Sequence, residues 1–296
     1  MKNVSISLVT AATLLLLITC GLAVSMAAEV SESTVGRVPV LMYHKISTDP
    51  ADEPNNTLIS LSRFEEHMNY LAKNGYTTID LGELKEFMEG RMSLPEKTVV
   101  ITFDDGWRSV LNALPILKKQ RFKATFFFVL EYLENTYPGF LSWSEISEIT
   151  SHRDFDIGCH SHTHPWMDRN NLVSWIDGKN KDRSMKDVLA EITGPKKVME
   201  EKLLRPILYY SWPSGLYNDK LLSIARDAGY IATVTTDEGM NRPGMDPMKI
   251  RRYNIWGHYG LAQFKQLLTS NLVNAEKLLA PGGAGPVPKS DYPVRK

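Results

Sequence analysis

The sequence predicts an α/β protein: one domain built as a distorted (β/α) barrel of seven to eight strands. Three observations carry this reading. Short apolar, β-branched runs alternate with amphipathic helical patterns, which is the mark of a mostly parallel sheet. Several runs have consecutive apolar residues, as strands buried on both faces require. Eight such runs match the strand number of a barrel. The competing architecture is an open doubly wound sheet. The 99–105 run leads into Gly106-Trp107-Arg108 rather than a glycine-rich phosphate loop, which disfavours nucleotide binding.

In order, the strand candidates are 38–43, 77–79, 99–103, 124–129, 156–159, 207–212, 231–235 and 250–255. Between the first two, Ser62 with Glu65 reads as a capping box, and Phe64, Met68 and Leu71 follow one helical face. Asn74-Gly75 ends that helix. Ser142 with Glu145 opens another helix. Asn218 caps a third, with Leu221, Ile224, Ala225 and Ala228 on one side and Gly229 as its stop.

The chain has 34 Lys+Arg and 34 Asp+Glu, so no net charge steers it towards nucleic acid, and none is expected as a partner. Lys2, the largely apolar stretch 9–24 and the small residues Ser25, Ala27 and Ala28 make residues 1–28 a signal peptide or N-terminal anchor. The apolar run is shorter than the roughly 20 residues of a spanning helix. Cys20 sits in Leu17-Ile18-Thr19-Cys20, which resembles a bacterial lipoprotein box, although Thr19 stands where a smaller residue is usual. An uncleaved leader or a lipidated Cys20 would attach the chain to a membrane; otherwise the protein is periplasmic, in the cell envelope or extracellular. Residues 29–37 read as a linker, 38–276 as the folded domain, and 277–296, with Pro281-Gly282-Gly283, as a flexible tail. Cleavage after Ala27 or Ala28 leaves Cys159 as the one cysteine and excludes an intrachain disulfide.

The chemistry is concentrated at two strand ends. In Thr102-Phe103-Asp104-Asp105-Gly106 a buried strand runs into adjacent carboxylates, which are costly together unless a cation or protons neutralise them. The carboxyl ends of barrel strands form the active-site face. At another strand end, His160-Ser161-His162-Thr163-His164 holds three of the seven histidines. His160 and His164, four apart, can face one point across a helical turn. Two imidazoles and one carboxylate make a three-ligand site with room for water, suited to zinc or a similar divalent metal. The second carboxylate is then available as a general base. These residues alone predict metal-assisted hydrolysis of an acyl group or a related bond.

The two motifs, in this order and context, resemble the NodB-homology polysaccharide deacetylases (carbohydrate esterase family four). The resemblance covers roughly residues 38–270 and includes Phe122-Lys123-Ala124-Thr125-Phe126-Phe127-Phe128-Val129 and the stretch 209–218. It implies a distorted barrel fold, with Asp104 as base and Asp105, His160 and His164 as ligands of zinc, or alternatively of cobalt, nickel or iron. It also implies a polysaccharide or oligosaccharide substrate, with N-acetylglucosamine units losing their acetyl groups. Two departures stand out. The family's third motif, Arg-Pro-Pro-Tyr-Gly, is matched by Ser211-Trp212-Pro213-Ser214-Gly215, without arginine or tyrosine. The Ser214 N–H can still serve the oxyanion, since backbone groups survive substitution. The orienting arginine must then come from elsewhere, with Arg252 the candidate and Arg251 the alternative. Trp212 is the tryptophan nearest a motif and a candidate sugar contact. The family's acid histidine usually lies near the C-terminal end. Here Tyr43-His44 ends the first strand, a layout similar to the circularly permuted subgroup acting on poly-β-1,6-N-acetylglucosamine. His44 is therefore the candidate acid and His258 its rival. His162 reads as exposed or supporting, and His67 and His152 as surface residues. Competing readings are a carbohydrate-binding protein with weak or lost catalysis, and an amidohydrolase of a small non-sugar amide.

Overall fold

The computed structural model describes residues 36–269, except 50, 51, 53, 54 and 56. The leader or anchor at 1–28 with Cys20, most of the 29–37 linker, and the 277–296 tail lie outside the described residues. Among the described residues no helix is long and apolar enough to cross a membrane.

The chain opens with β1 (Val40–Tyr43), a side ribbon of β2 (Lys45–Ser47) and β3 (Leu58–Ser60), then α1 (Leu61–Lys73) and β4 (Thr77–Thr78). Next come α2 (Leu81–Met88), β5 (Thr98–Phe103), α3 (Leu114–Gln120), β6 (Ala124–Phe128), α4 (Leu130–Glu134), α5 (Trp143–Thr150) and β7 (Phe155–Cys159). The hairpin β8 (Trp166–Met167) and β9 (Asn170–Asn171) leads to α6 (Leu172–Ile176) and α7 (Met185–Leu203). The chain continues through β10 (Tyr209–Ser211), α8 (Asp219–Asp227), β11 (Ala232–Val234), β12 (Tyr253–Asn254) and α9 (Leu261–Thr269).

Seven strands lie in the order β11-β10-β7-β6-β5-β1-β12, with β4 beside the start of β5, and every pair in this sheet is parallel. The sheet curls until its ends meet. Ile250, just ahead of β12, bridges Val234 of β11, donating its N–H to Thr233 O (3.1 Å) and accepting from Thr235 N–H (2.9 Å). Each of the eight predicted strand runs contains a strand, with ends displaced by a few residues.

Alternation along the strands splits the core in two, because successive side chains point to opposite faces. Leu41, Tyr43, Val99, Ile101, Phe103, Phe126 and Phe128 join the outer cluster, packed under helices by Phe64, Met68, Leu117 and Ile146. Val40, Val100, Phe127, Tyr209, Ala232, Val234 and Ile250 fill the barrel interior together with Leu81, Leu84 and Met88 of α2. Gly158 in β7 makes this interior possible: a Cβ there would meet the Phe127 ring at 2.5 Å and Tyr209 O at 2.8 Å.

Helix ends follow the expected chemistry with one correction. The cap of α1 is Ser60, whose hydroxyl accepts from Arg63 N–H (3.3 Å), and Ser62 lies inside the helix. Ser60 ends β3 in extended backbone, so its side chain reaches the first free amides before Ser62 can. Ser142 and Glu145 form the capping box of α5, and Asn218 accepts from Leu221 N–H (3.0 Å) at the start of α8.

Candidate metal and catalytic site

Strands β5, β7 and β10 are linked through β6 and deliver their carboxyl ends to one region. Thr102 and Asp104 have the same parity on β5 and its extension, so both point to the interior side. Asp104 meets Arg252 there. The guanidinium forks onto the carboxylate, Nη1 to Oδ1 and Nη2 to Oδ2, both at 2.7 Å. Ser211 Oγ donates a further bond to Oδ2 (3.0 Å). Arg252 is fully buried and is itself held by Thr235 O (2.8 Å) and Thr102 Oγ1 (3.2 Å). Burial alone would raise the Asp104 pKa, but Arg252 and His160 outweigh it and hold the carboxyl below its usual range.

Asp105, the next residue, turns away at φ 72°. Trp107 Nε1 donates to its Oδ2 (2.9 Å), which leaves Oδ1 facing His160 Nε2 at 3.3 Å and His164 Nε2 at 3.6 Å. All three side chains are buried, and one ligand atom from each lies within 4.8 Å of the others. His160 Nδ1 lies 2.9 Å from Ser211 O, which can only accept, so Nδ1 carries a proton and Nε2 is the atom turned to the cluster. Burial would lower the pKa of this ring, but Asp104 and Asp105 outweigh it and raise it, so a cation here would take the place of the Nε2 proton. Burial pushes His164 down to about 3, with His160 adding to the effect, so this ring is neutral and ready to donate electrons at ordinary pH. For Asp105, burial raises the pKa, but the bond from His160 and the nearby imidazoles leave it well below the carboxylate range. A buried cluster of one carboxylate and two imidazoles, with Asp105 held by Trp107 and His160 by Ser211, fits a divalent cation.

Backbone strain concentrates on the same loops. Asp105, Ser161, His164 (φ 53°) and Ser214 (φ 52°) are non-glycine residues in the left-handed region. Such positions cost of order 1–3 kcal/mol each and persist only where surroundings enforce them.

The other candidates separate by position. His44 is half-buried at the end of β1, with its Nδ1 buried and without a hydrogen-bond partner among the described residues. Burial lowers its pKa, while Asp105 and Asp104 act to raise it, which places the ring within reach of their charge. His258 is exposed and packs on Tyr259 and Trp256. Ser214 is exposed in the turn Pro213–Gly215. Arg251 is half-buried, and its N–H donates to Asn241 Oδ1.

Two expectations need correction. Trp212 is fully buried and donates Nε1 to Thr233 Oγ1 (2.9 Å), so its ring supports the turn from below and presents no face to a sugar. His67 is fully buried, stacked on Phe264 at 4.0 Å, because α9 covers that face of α1. His152 stays at the surface, with one face of its ring on Phe155. Sequence reasoning passed over Trp107 and Ser211 as site residues. The signal for Trp107 was its place two residues after a ligand candidate; Ser211 carried none beyond its strand-end position.

Beside the third-motif turn lies a cavity of about 540 Å³, lined by Leu216 and by Asp168, Arg169 and Asn171 from the hairpin that follows His164. Its walls thus continue the two loops that carry His164 and Ser214.

Comparison with known proteins bears on the family and the fold. Residues 91–233 match the family model described as polysaccharide deacetylase. YxkH of Bacillus subtilis (strain 168), whose name assigns it to the polysaccharide deacetylases, is 30% identical over 204 residues, 69% of this chain. The chain spans 66% of that relative's length, just under two thirds. A poly-beta-1,6-N-acetyl-D-glucosamine N-deacetylase of Staphylococcus aureus (strain MRSA252) is 25% identical over 207 residues, 69% of each chain. The structure of the Streptococcus pyogenes deacetylase PplD in complex with acetate superposes with a TM-score of 0.67 at 24% identity, covering 79% of this chain and 99% of that one, and supports the fold. With the family model, the B. subtilis relative and the barrel in agreement, the chain belongs to the polysaccharide deacetylases.

Proposed function

We propose that this protein is a metal-dependent hydrolase that removes N-acetyl groups from a glucosamine-containing polysaccharide or oligosaccharide. The observation that carries the proposal is the pairing of a buried Asp105–His160–His164 cluster with an Arg252-bound Asp104 one residue away. A divalent metal held by Asp105, His160 and His164, zinc or alternatively cobalt, nickel or iron, would supply Lewis acidity and lower the pKa of a water molecule. Asp104 accepts the proton of the attacking water. Its fork to Arg252 keeps it ionised and fixes the direction of its lone pairs. The Ser214 N–H donates to the oxygen that gains charge as the acetamide carbonyl is attacked. His44 returns a proton to the departing nitrogen, so acetate and a free amine leave. The leader pattern at 1–28 supports export, with retention at a membrane if that segment or a lipid on Cys20 remains.

Acetate release from defined β-1,6 and β-1,4 N-acetylglucosamine oligomers, with and without chelator, tests the proposal. Expected is chelator-sensitive release that rises with chain length. Release indifferent to chelator, or none from either linkage, would oppose it. Faster turnover of small non-sugar amides than of oligomers would favour a different amidohydrolase.

A further inference from the structure

The 160–164 loop carries two ligand candidates on a strained path, and a residue 28 positions beyond Thr163 holds it there. Glu191 on α7 is 5% exposed. Its Oε2 accepts the N–H groups of His162 (3.0 Å) and Thr163 (2.8 Å), and its Oε1 accepts from Thr163 Oγ1 (2.5 Å). Among the described residues no cationic side chain pairs with it, so these three bonds are what offset the loss of water from a buried carboxylate.

The amides of the two ligand candidates have other acceptors. His160 N–H donates to Phe128 O (2.8 Å), and His164 N–H to Ser161 Oγ (2.9 Å). At the start of α4, the amides of Leu130 and Glu131 donate to the carbonyls of Ser161 (3.2 Å) and His162 (2.8 Å). The His162 and Thr163 amides, between the paired imidazoles, therefore have Glu191 as their acceptor. The helix presenting it is firmly seated. Val188, Ile192 and Met199 are fully buried, and Tyr230 Oη donates to Ile192 O (2.8 Å). Pro195 lies one turn beyond Glu191 and has no N–H to give the Glu191 carbonyl.

We propose that Glu191 is a positioning residue: its carboxylate fixes the 160–164 loop so that His160 and His164 face one cation. The inference rests on the metal-site reading above. A glutamine can keep the two amide bonds through its oxygen, while Thr163 Oγ1 turns to accept from its NH₂. A leucine keeps the bulk and removes every acceptor. An aspartate keeps the charge but is one methylene short.

The test is competition between the full chain and a chromophoric chelator for Zn²⁺, alongside the visible spectrum of the Co²⁺-loaded chain and thermal unfolding without metal. Expected is a 10–100-fold weaker zinc affinity and an altered cobalt spectrum for Glu191→Leu, the scale typical of lost outer-shell partners. Glu191→Gln should stay within about threefold of the parent, on the same scale. If Glu191→Leu does not fold, Glu191→Asp should still bind zinc more weakly than Glu191→Gln. Parental zinc affinity in Glu191→Leu with a lowered melting temperature would overturn the proposal and leave Glu191 a stabilising residue only. Equal losses in Glu191→Gln and Glu191→Leu would overturn it too, since charge and not acceptor geometry would then matter. A parent chain that binds neither metal would instead refute the metal site itself.

Discussion

Asp104 and Asp105 are neighbours in the chain but have opposite partners, and the roles proposed for them follow from that difference. Asp104→Asn should keep zinc affinity and lose acetate release by about 10²–10⁴-fold, the range for a lost general base. Parental turnover in this variant would exclude Asp104 as the base. Arg252→Lys replaces a fork by a point charge, so Asp104 should lose part of what holds its pKa down. A base works only when deprotonated, so the acid limb of kcat/KM should move to higher pH; an unmoved limb would detach Arg252 from the base. His44→Ala should impair acetamide cleavage far more than hydrolysis of an aryl acetate, whose leaving group needs no proton. Equal losses on both would remove His44 as the acid. The convergence of Asp105 with His160 and His164 was legible because each stands at the end of a recognisable strand. The Asp104–Arg252 fork, 148 residues apart in sequence, was visible only through a family pattern. Trp212 was misread because a tryptophan's exposure depends on what covers it, here the 3-10 turn above and Thr233 below.

At the scale of elements, β7 and α1 carry the clearest tests. Gly158→Ala places a methyl against the Phe127 ring and the Tyr209 carbonyl. Overpacking of this kind costs about 1–3 kcal/mol, and thermal unfolding should show a drop of several degrees; an unchanged melting temperature would mean β6 and β10 yield freely. In α1, burial pushes His67 down to about 3 in the folded chain. The unfolded chain therefore takes up a proton at this position between its ordinary value near 6.5 and about 3, while the folded chain does not. Stability should fall across that window as pH decreases, by on the order of 1.4 kcal/mol per unit from this group. His67→Phe should flatten the slope in denaturant titrations, and a slope identical to the parent would assign it to other groups. Strand and helix positions were readable from apolar periodicity, and caps from Ser, Asn and Gly. His67 was not: a histidine on an amphipathic helix looks polar until a distant element covers it, and α9 is nearly 200 residues away.

For the whole molecule, the alternation of elements specified a parallel sheet but not its closure. Hydrophobic runs are alike in open sheets and barrels. Closure is decided along the seam where Ile250 bridges Val234 and the Arg252 N–H donates to Asp237 O (3.0 Å), pairings no local pattern reports. That approach also brings Arg252 inside, so closing the barrel and completing the site are one event. A cation gripped by the folded chain alone should raise its stability, by ≈ 2.7 kcal/mol at a hundredfold excess over Kd. Zinc should therefore raise the melting temperature of the parent and leave His160→Ala unmoved; equal shifts in both would place the binding elsewhere. The most direct test is anomalous diffraction at the zinc edge from crystals of the metal-supplemented protein. The account predicts one strong peak per chain, shared by Asp105 Oδ1, His160 Nε2 and His164 Nε2. A peak away from those three atoms, or none in a well-ordered site, would contradict it.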